Sequence, residues 1–213
     1  MKIYTGTSWS KKNQKRCAEL GIGMMSSPVD LVHPNKIIKT VSVSCDNGAF
    51  RNFRDKTKFD VQKFNEWINS IECKIDFIPY PDVVCKWRES IELSKQFIGQ
   101  LPFKAYFVVQ DGMTFDLVHN LLSESDGCFI GGSTKNGKRK GWKWQTAPHW
   151  IKHCHEIGLP VHMGRCPATI VGMDSAEQME IDSMDSSSLI RNQWLNRLDV
   201  YTTHKKEQSR FNA

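Results

Sequence analysis

The segment Lys104–Gly131, KAYFVVQDGMTFDLVHNLLSESDGCFIG, decides the fold. Lys104–Gln110 is a short apolar run that ends on a polar residue, and Gly127–Gly131 is a second such run. Between them, Thr114–Ser123 places its apolar residues at helical spacing. A buried strand, a helix and another buried strand in that order form a parallel pair joined by a helical crossover. The same alternation extends in both directions. Upstream, Lys2–Gly6, Ile22–Ser26, Thr40–Cys45 and Ile75–Pro79 read as strands; downstream, Pro160–Gly164 and Glu180–Met184 do. Helical patterns include Phe59–Cys73, with Val61, Phe64, Trp67, Ile68 and Ile71 on one stripe, and Val84–Ile98, with Val84, Trp87, Ile91 and Phe97. Ala147–Ile157 is a further helix, with Pro148 placed as at a helix start. Eight strands predict an α/β fold, a (β/α)8 TIM-like barrel forming a single domain over residues 1–203, followed by a polar tail, 204–213. An open doubly wound sheet is the alternative, because the first strand and the region from Ser26 to Lys39 carry the weakest patterns.

Composition limits the partners. The chain has 213 residues, 39% hydrophobic and 24% charged, as in an ordinary globular domain. No apolar stretch is long enough to span a bilayer. The opening MKIYTGTSW has no long apolar run behind a basic segment and is not read as a secretory signal. Seven cysteines, with no C-x-x-C pair, argue against a disulfide framework or structural zinc and for a reducing cytoplasm. A net charge of +6 suits a polyanionic partner without requiring one.

In parallel α/β folds, function collects at the carboxyl ends of strands. Here those positions hold Asp46, Asp82, Gln110, Gly131 and Gly132, Met163 and Gly164, then Asp182 and Asp185. Several carboxylates at one barrel mouth repel one another, an arrangement used where acid, base and nucleophile share a site. Each also has a plainer explanation: Asp46 before Asn-Gly as a turn former, Asp82, Asp182 and Asp185 as helix caps, the Gly pair as a tight turn.

The ordered set resembles the tRNA-guanine transglycosylases, and within them the short phage-type DNA 7-deazaguanine transglycosylases. Cys-Asp46-Asn-Gly-Ala-Phe50 is similar to the family's D-S-G-G-F/Y, and Phe-Val-Val-Gln110-Asp-Gly to its G-I-V-Q-G-G. Asp126-Gly-Cys-Phe-Ile-Gly131-Gly132 is similar to D-G-Y-A-V-G-G, His162-Met163-Gly164 to L-M-G, and Ile181-Asp182-Ser-Met-Asp185-Ser to V-D-M-F-D-C. The likeness runs from about Ser44 to Ser187. It implies a nucleophilic Asp185 and Asp46 as general acid and base. Two carboxylates at a glycosidic bond give a covalent intermediate and retention of configuration. Asp82 would accept from the ring nitrogen and amine of guanine. Gln110 and the backbone N–H of Gly132, beside Gly131, would donate to its carbonyl. Phe50 and Met163, beside Gly164, would sandwich the ring. Asp182 is an alternative base reader, and His162 a second-tier candidate.

The chain departs from the family in two places. Ser-Thr-Lys-Asn-Gly replaces the family's V-G-E, and the three-Cys, one-His zinc module has no counterpart after Asp185, which favours DNA over tRNA by the resemblance. The expected partners are DNA with a single-stranded or flipped-out guanine, and a free 7-deazaguanine base, with neither metal nor cofactor. Lys135, Lys138, Arg139, Lys140 and Lys143, interleaved with Trp142 and Trp144, are expected in a loop over the mouth that binds nucleic acid. Lys11, Lys12, Lys15 and Arg16 form a weaker patch. Three other readings stay open: a tRNA transglycosylase, a non-catalytic nucleic-acid-binding subunit, and a metal-dependent hydrolase using His149, His153 and His162. The histidines His149, His153 and His155 lie on an expected outer helix, which weighs against metal.

Overall fold

The computed structural model describes residues 1–132, 141–167, 170–186 and 189. Its strands are β1 (Lys2–Gly6), β2 (Gly23–Ser26), β3 (Val43–Cys45), β4 (Ile78–Pro79), β5 (Ala105–Val109), β6 (Gly127–Ile130), β7 (Val161–Met163) and β8 (Ser183–Asp185). The helices are α1 (Lys11–Glu19), α2 (Ala49–Asp55), α3 (Val61–Asn69), α4 (Trp87–Lys95), α5 (Phe115–Ser123), α6 (Trp142–Glu156) and α7 (Ile170–Gln178). A 3-10 turn, Pro34–Lys36, stands between β2 and β3 where a helix would otherwise cross. The strands form one parallel sheet in the order β3-β2-β1-β8-β7-β6-β5-β4. The remaining seam, β3 against β4, is bridged by Asp76 N–H to the Val43 carbonyl (2.7 Å) and Cys45 N–H to the Phe77 carbonyl (3.0 Å). The sheet is thus a nearly closed (β/α)8 barrel, as the strand pattern predicts, and the open-sheet alternative falls.

Local chemistry sets the elements. Asp60 caps α3 by accepting from the Lys63 N–H at 3.0 Å, and Phe64 and Ile68, one turn apart, are buried against the sheet. Alternation along the strands sends one set of side chains outward into the layer beneath the helices and the other into the barrel. The interior holds Tyr4, Met25, Phe77, Tyr106, Val108 and Phe129. Phe77 stacks on Tyr106 with centroids 4.3 Å apart and planes 8° apart. Such large rings fit only because neighbouring strands supply glycine: a Cβ on Gly127 would lie 2.6 Å from Tyr106 Cε1. Each buried ring contributes about 1.5–3 kcal/mol by leaving water.

Two boundaries differ from expectation. Glu180 adopts a left-handed φ of 62° just after α7, so β8 begins three residues later than Glu180 and its last residue is Asp185. Helix α6 begins at Trp142, not near Ala147, and Pro148 lies inside it on the exposed face, where its missing N–H is tolerated. The tail 204–213 falls outside the described residues.

Candidate active site

The strand alternation that fills the barrel with rings delivers polar residues to its mouth. Asp46 follows β3. Its backbone N–H bonds the Ser26 carbonyl (2.8 Å), and its Oδ1 accepts from the Gly48 N–H at 2.6 Å. Gly48, at φ 80°, makes the turn that leads into α2. Asp46 is therefore both a turn former and a cavity residue. Burial pushes its carboxyl up to about 7, against the Gly48 N–H, and the charges of Asp185, Asp82 and Asp30 push the same way.

Asp185 closes β8. Its Oδ1 accepts from the Arg165 backbone N–H at 2.9 Å and faces His162 Nε2 at 3.1 Å. The other ring nitrogen of His162 lies 2.9 Å from Ser183 Oγ. His162 is fully buried, and burial lowers its pKa while Asp185 opposes that shift. A neutral ring with its proton on Nε2, donating to Asp185 and accepting from Ser183, satisfies every contact. His162 thus orients Asp185.

Asp82 follows β4 and is buried. Asn47 Nδ2 donates to Asp82 Oδ1 (2.8 Å) and to the Tyr80 carbonyl (2.7 Å), and Asn47 Oδ1 accepts from Ala49 N–H. Burial raises the Asp82 carboxyl to about 6, and the Asn47 bond works against that rise. Asp82 lines a cavity of about 290 Å³ together with Asp46, Gln110, Gly131, Gly132 and Gly164, floored by Val108 and Phe129. A second cavity, about 320 Å³, adjoins it and is lined by Asp46, Asp185, Asp30, Arg51 and Arg54. Phe50 and Arg165 line both, with the guanidinium carbon 3.6 Å from the ring centroid. This cation–π pair stands between the cavities, and Asp46 faces each of them.

Several expected residues sit elsewhere. Met163 is fully buried in the layer between sheet and helices, because His162 takes the inward position and a strand alternates; it cannot stack on a ligand in the mouth. Asp182 precedes β8 at the opposite end of the barrel, where its Oδ2 accepts from Val161 N–H (2.7 Å) and pairs with His155 (2.9 Å). It therefore does not reach this mouth, whereas Asp82 lines the cavity there. Gln110 lines the cavity, but its amide nitrogen is spent on Ser90 Oγ (2.6 Å) and the Val83 carbonyl (3.2 Å), so it has no donor for a ligand carbonyl. The Gly131 N–H is likewise taken by the Val109 carbonyl.

Lys143 and Trp144 are not on an overhanging loop: they open α6 and point into the fold, 2% and 8% exposed. Trp142 packs against Trp150 and under Gly132, whose φ of 72° and approach to the indole leave no room for a Cβ. Lys135, Lys138, Arg139 and Lys140 lie outside the described residues. His149 is exposed on α6, and His153 stacks on Phe115 at 4.3 Å. Among the described residues, no group of three or more His, Cys, Asp or Glu is placed to hold a metal, and no helix is long and apolar enough to cross a membrane.

Asn47, Arg165, Ser183 and Lys143 are cavity or supporting residues that the sequence reading did not assign to these roles. Asn47 and Arg165 each directly follow a strand-end residue that it did assign.

No protein-family model and no curated protein sequence matches the chain. Its fold is similar to solved structures of tryptophan synthase from M. tuberculosis. The ligand-free form is 13% identical with a TM-score of 0.54, covering 94% of this chain and 88% of that one. The open form with BRD0059 bound gives the same four values. The aminoacrylate- and BRD0059-bound form has a TM-score of 0.53 at 13% identity, with 94% and 88% covered. At that identity the likeness shows the barrel alone.

Proposed function

We propose that this chain exchanges guanine in DNA for a 7-deazaguanine base of the 7-cyano type through a covalent aspartyl-sugar intermediate. One observation carries the reading. Asp46 and Asp185, from opposite ends of the sequence, line one cavity at the barrel mouth beside a second cavity sized for a single ring system. The sugar occupies the Asp46–Asp185 cavity, and the base lies over Val108 and Phe129 with its two adjacent donors on Asp82. Phe50 covers the bond between the two.

The chemistry then follows. Asp185 Oδ2 attacks the anomeric carbon while the carbon–nitrogen bond breaks. The departing base keeps the bonding pair and takes the proton that Asp46 carries. The incoming base gives its ring proton to Asp46, its nitrogen attacks the same carbon, and Asp185 is released. An Asp46 carboxyl held near 7 is suited to both transfers. Arg51, Arg54 and Arg165 on the Asp46–Asp185 cavity supply positive charge for backbone phosphates. The choice of DNA over tRNA follows the sequence resemblance. Incubating the protein with labelled guanine and either duplex DNA or tRNA tests it: label is expected in DNA. Label in tRNA alone would reassign the substrate. Label in neither, with DNA bound, would favour a non-catalytic binding subunit.

A further inference from the structure

We propose that Lys143 reads position 7 of the bound purine, donating to N7 of guanine or to an acceptor group on C7 of the incoming base, and that it excludes bases with a cationic 7-substituent. The inference rests on the transglycosylase reading and deepens it.

Three donors around the cavity are already committed, and the Arg165 guanidinium lies over the Phe50 ring. Gln110 Nε2 is committed to Ser90 and Val83, the Gly131 N–H to Val109, and the Gly164 N–H to the Ile130 carbonyl. Lys143 lines the same cavity, and among the described residues its Nζ bonds only the Gly164 carbonyl, at 2.5 Å. An ammonium has three N–H donors, so two remain for a ligand. Burying a lysine is costly unless its charge is used. Burial brings the ammonium down to about 8, opposed by Cys166, Asp185 and Asp111, while Arg165 adds to the fall.

The strand order supplies the orientation. Around the mouth come Asp82 after β4, Gln110 after β5, Gly131 and Gly132 after β6, Lys143 leaning on Gly164 after β7, and Asp185 on β8. The perimeter of guanine reads, in sequence, amine, N1, O6, N7, C8 and the glycosidic nitrogen. With the donor edge on Asp82 and the sugar bond at Asp46 and Asp185, O6 falls by Gly132 and position 7 falls between β6 and β7, at Lys143. An aminomethyl group there would set one ammonium against another beside a buried lysine, where the repulsion is weakly screened.

The test is equilibrium binding of four free bases to the purified full chain: guanine, 7-deazaguanine, 7-cyano-7-deazaguanine and 7-aminomethyl-7-deazaguanine. The wild type is expected to bind guanine and the cyano base about tenfold or more tighter than 7-deazaguanine, with the aminomethyl base weakest. Lys143→Met should bring all four within about threefold. Lys143→Gln, a neutral donor, should keep the preference for the cyano base yet admit the aminomethyl base. An aminomethyl base that binds best to the wild type, or a ranking unchanged in Lys143→Gln, overturns the assignment while leaving the transglycosylase reading intact. A wild type that binds none of the four overturns both. Should Lys143→Met fail to fold, the wild-type ranking and Lys143→Gln decide.

Discussion

Replacing Asp46 by Asn should stabilise the protein in proportion to pH. The folded-state pKa, about 7, lies above the ordinary 3.8 because burial disfavours the charge. The sign follows by linkage: a raised folded pKa gives stability that is complete below the unfolded pKa and lost as pH rises through the folded one. Wild type therefore weakens between about pH 4 and pH 7, whereas the Asn variant has no such proton to lose. Between pH 5 and pH 8 the difference covers about two units of that window, or about 2.7 kcal/mol at 1.36 kcal/mol per unit. The cavity opens to water, so about half of this should be realised. For a chain of this size that corresponds to about 3–5 °C in Tm. Asn keeps an oxygen for the Gly48 N–H, so the turn is preserved. Thermal melts of both proteins at pH 5, 6, 7 and 8 check it. The variant's advantage should grow with pH; an advantage that is constant, or that shrinks, refutes the buried-acid reasoning for Asp46.

Three further perturbations address other parts of the account. Asn47→Ala removes the bond that holds the Asp82 carboxyl down, so the acid limb of guanine binding should move to higher pH; an unmoved limb in binding titrations from pH 5 to 8 would separate Asp82 from base recognition. His162→Phe keeps a ring but deletes the contact to Asp185, and base exchange should slow about 10- to 100-fold with base affinity unchanged. Equal losses in affinity and rate would mean that the ring merely packs. Gly127→Ala places a Cβ 2.6 Å from Tyr106 and should cost about 1–3 kcal/mol, seen as a lower Tm; an unchanged melt would contradict the interior packing.

The barrel was legible because its signal is periodic. All the expected strands but the last enclose the observed ones, since apolar runs facing two buried layers stand out in sequence. The mouth was half legible. Asp46, Asp82 and Asp185 follow from counting to strand ends, but the direction of a side chain depends on which residue of the strand points inward. That is why Met163 exchanged places with His162. Asp182 was lost through a boundary: the left-handed turn at Glu180 moved the strand three residues on and left Asp182 at the far end. Lys143 was misread for the opposite reason. Once α6 starts at Trp142, Lys143 shares a stripe with Ala147, Trp150, Ile151 and Cys154, all buried, and a lysine on an apolar stripe marks a cavity. Pro148 masked that stripe by suggesting a later start. The commitment of Gln110 to Ser90 had no sequence signal, because it joins residues from separate crossovers.

The central claim is a bond between Asp185 and a sugar carbon. Wild-type protein incubated with a guanine-containing DNA oligonucleotide, then denatured and separated by mass, should carry a covalent DNA adduct that disappears when excess guanine is added before denaturation. Asp185→Asn should form none. An adduct that persists in Asp185→Asn, or exchange of labelled guanine into DNA by that variant at the wild-type rate, would contradict the account.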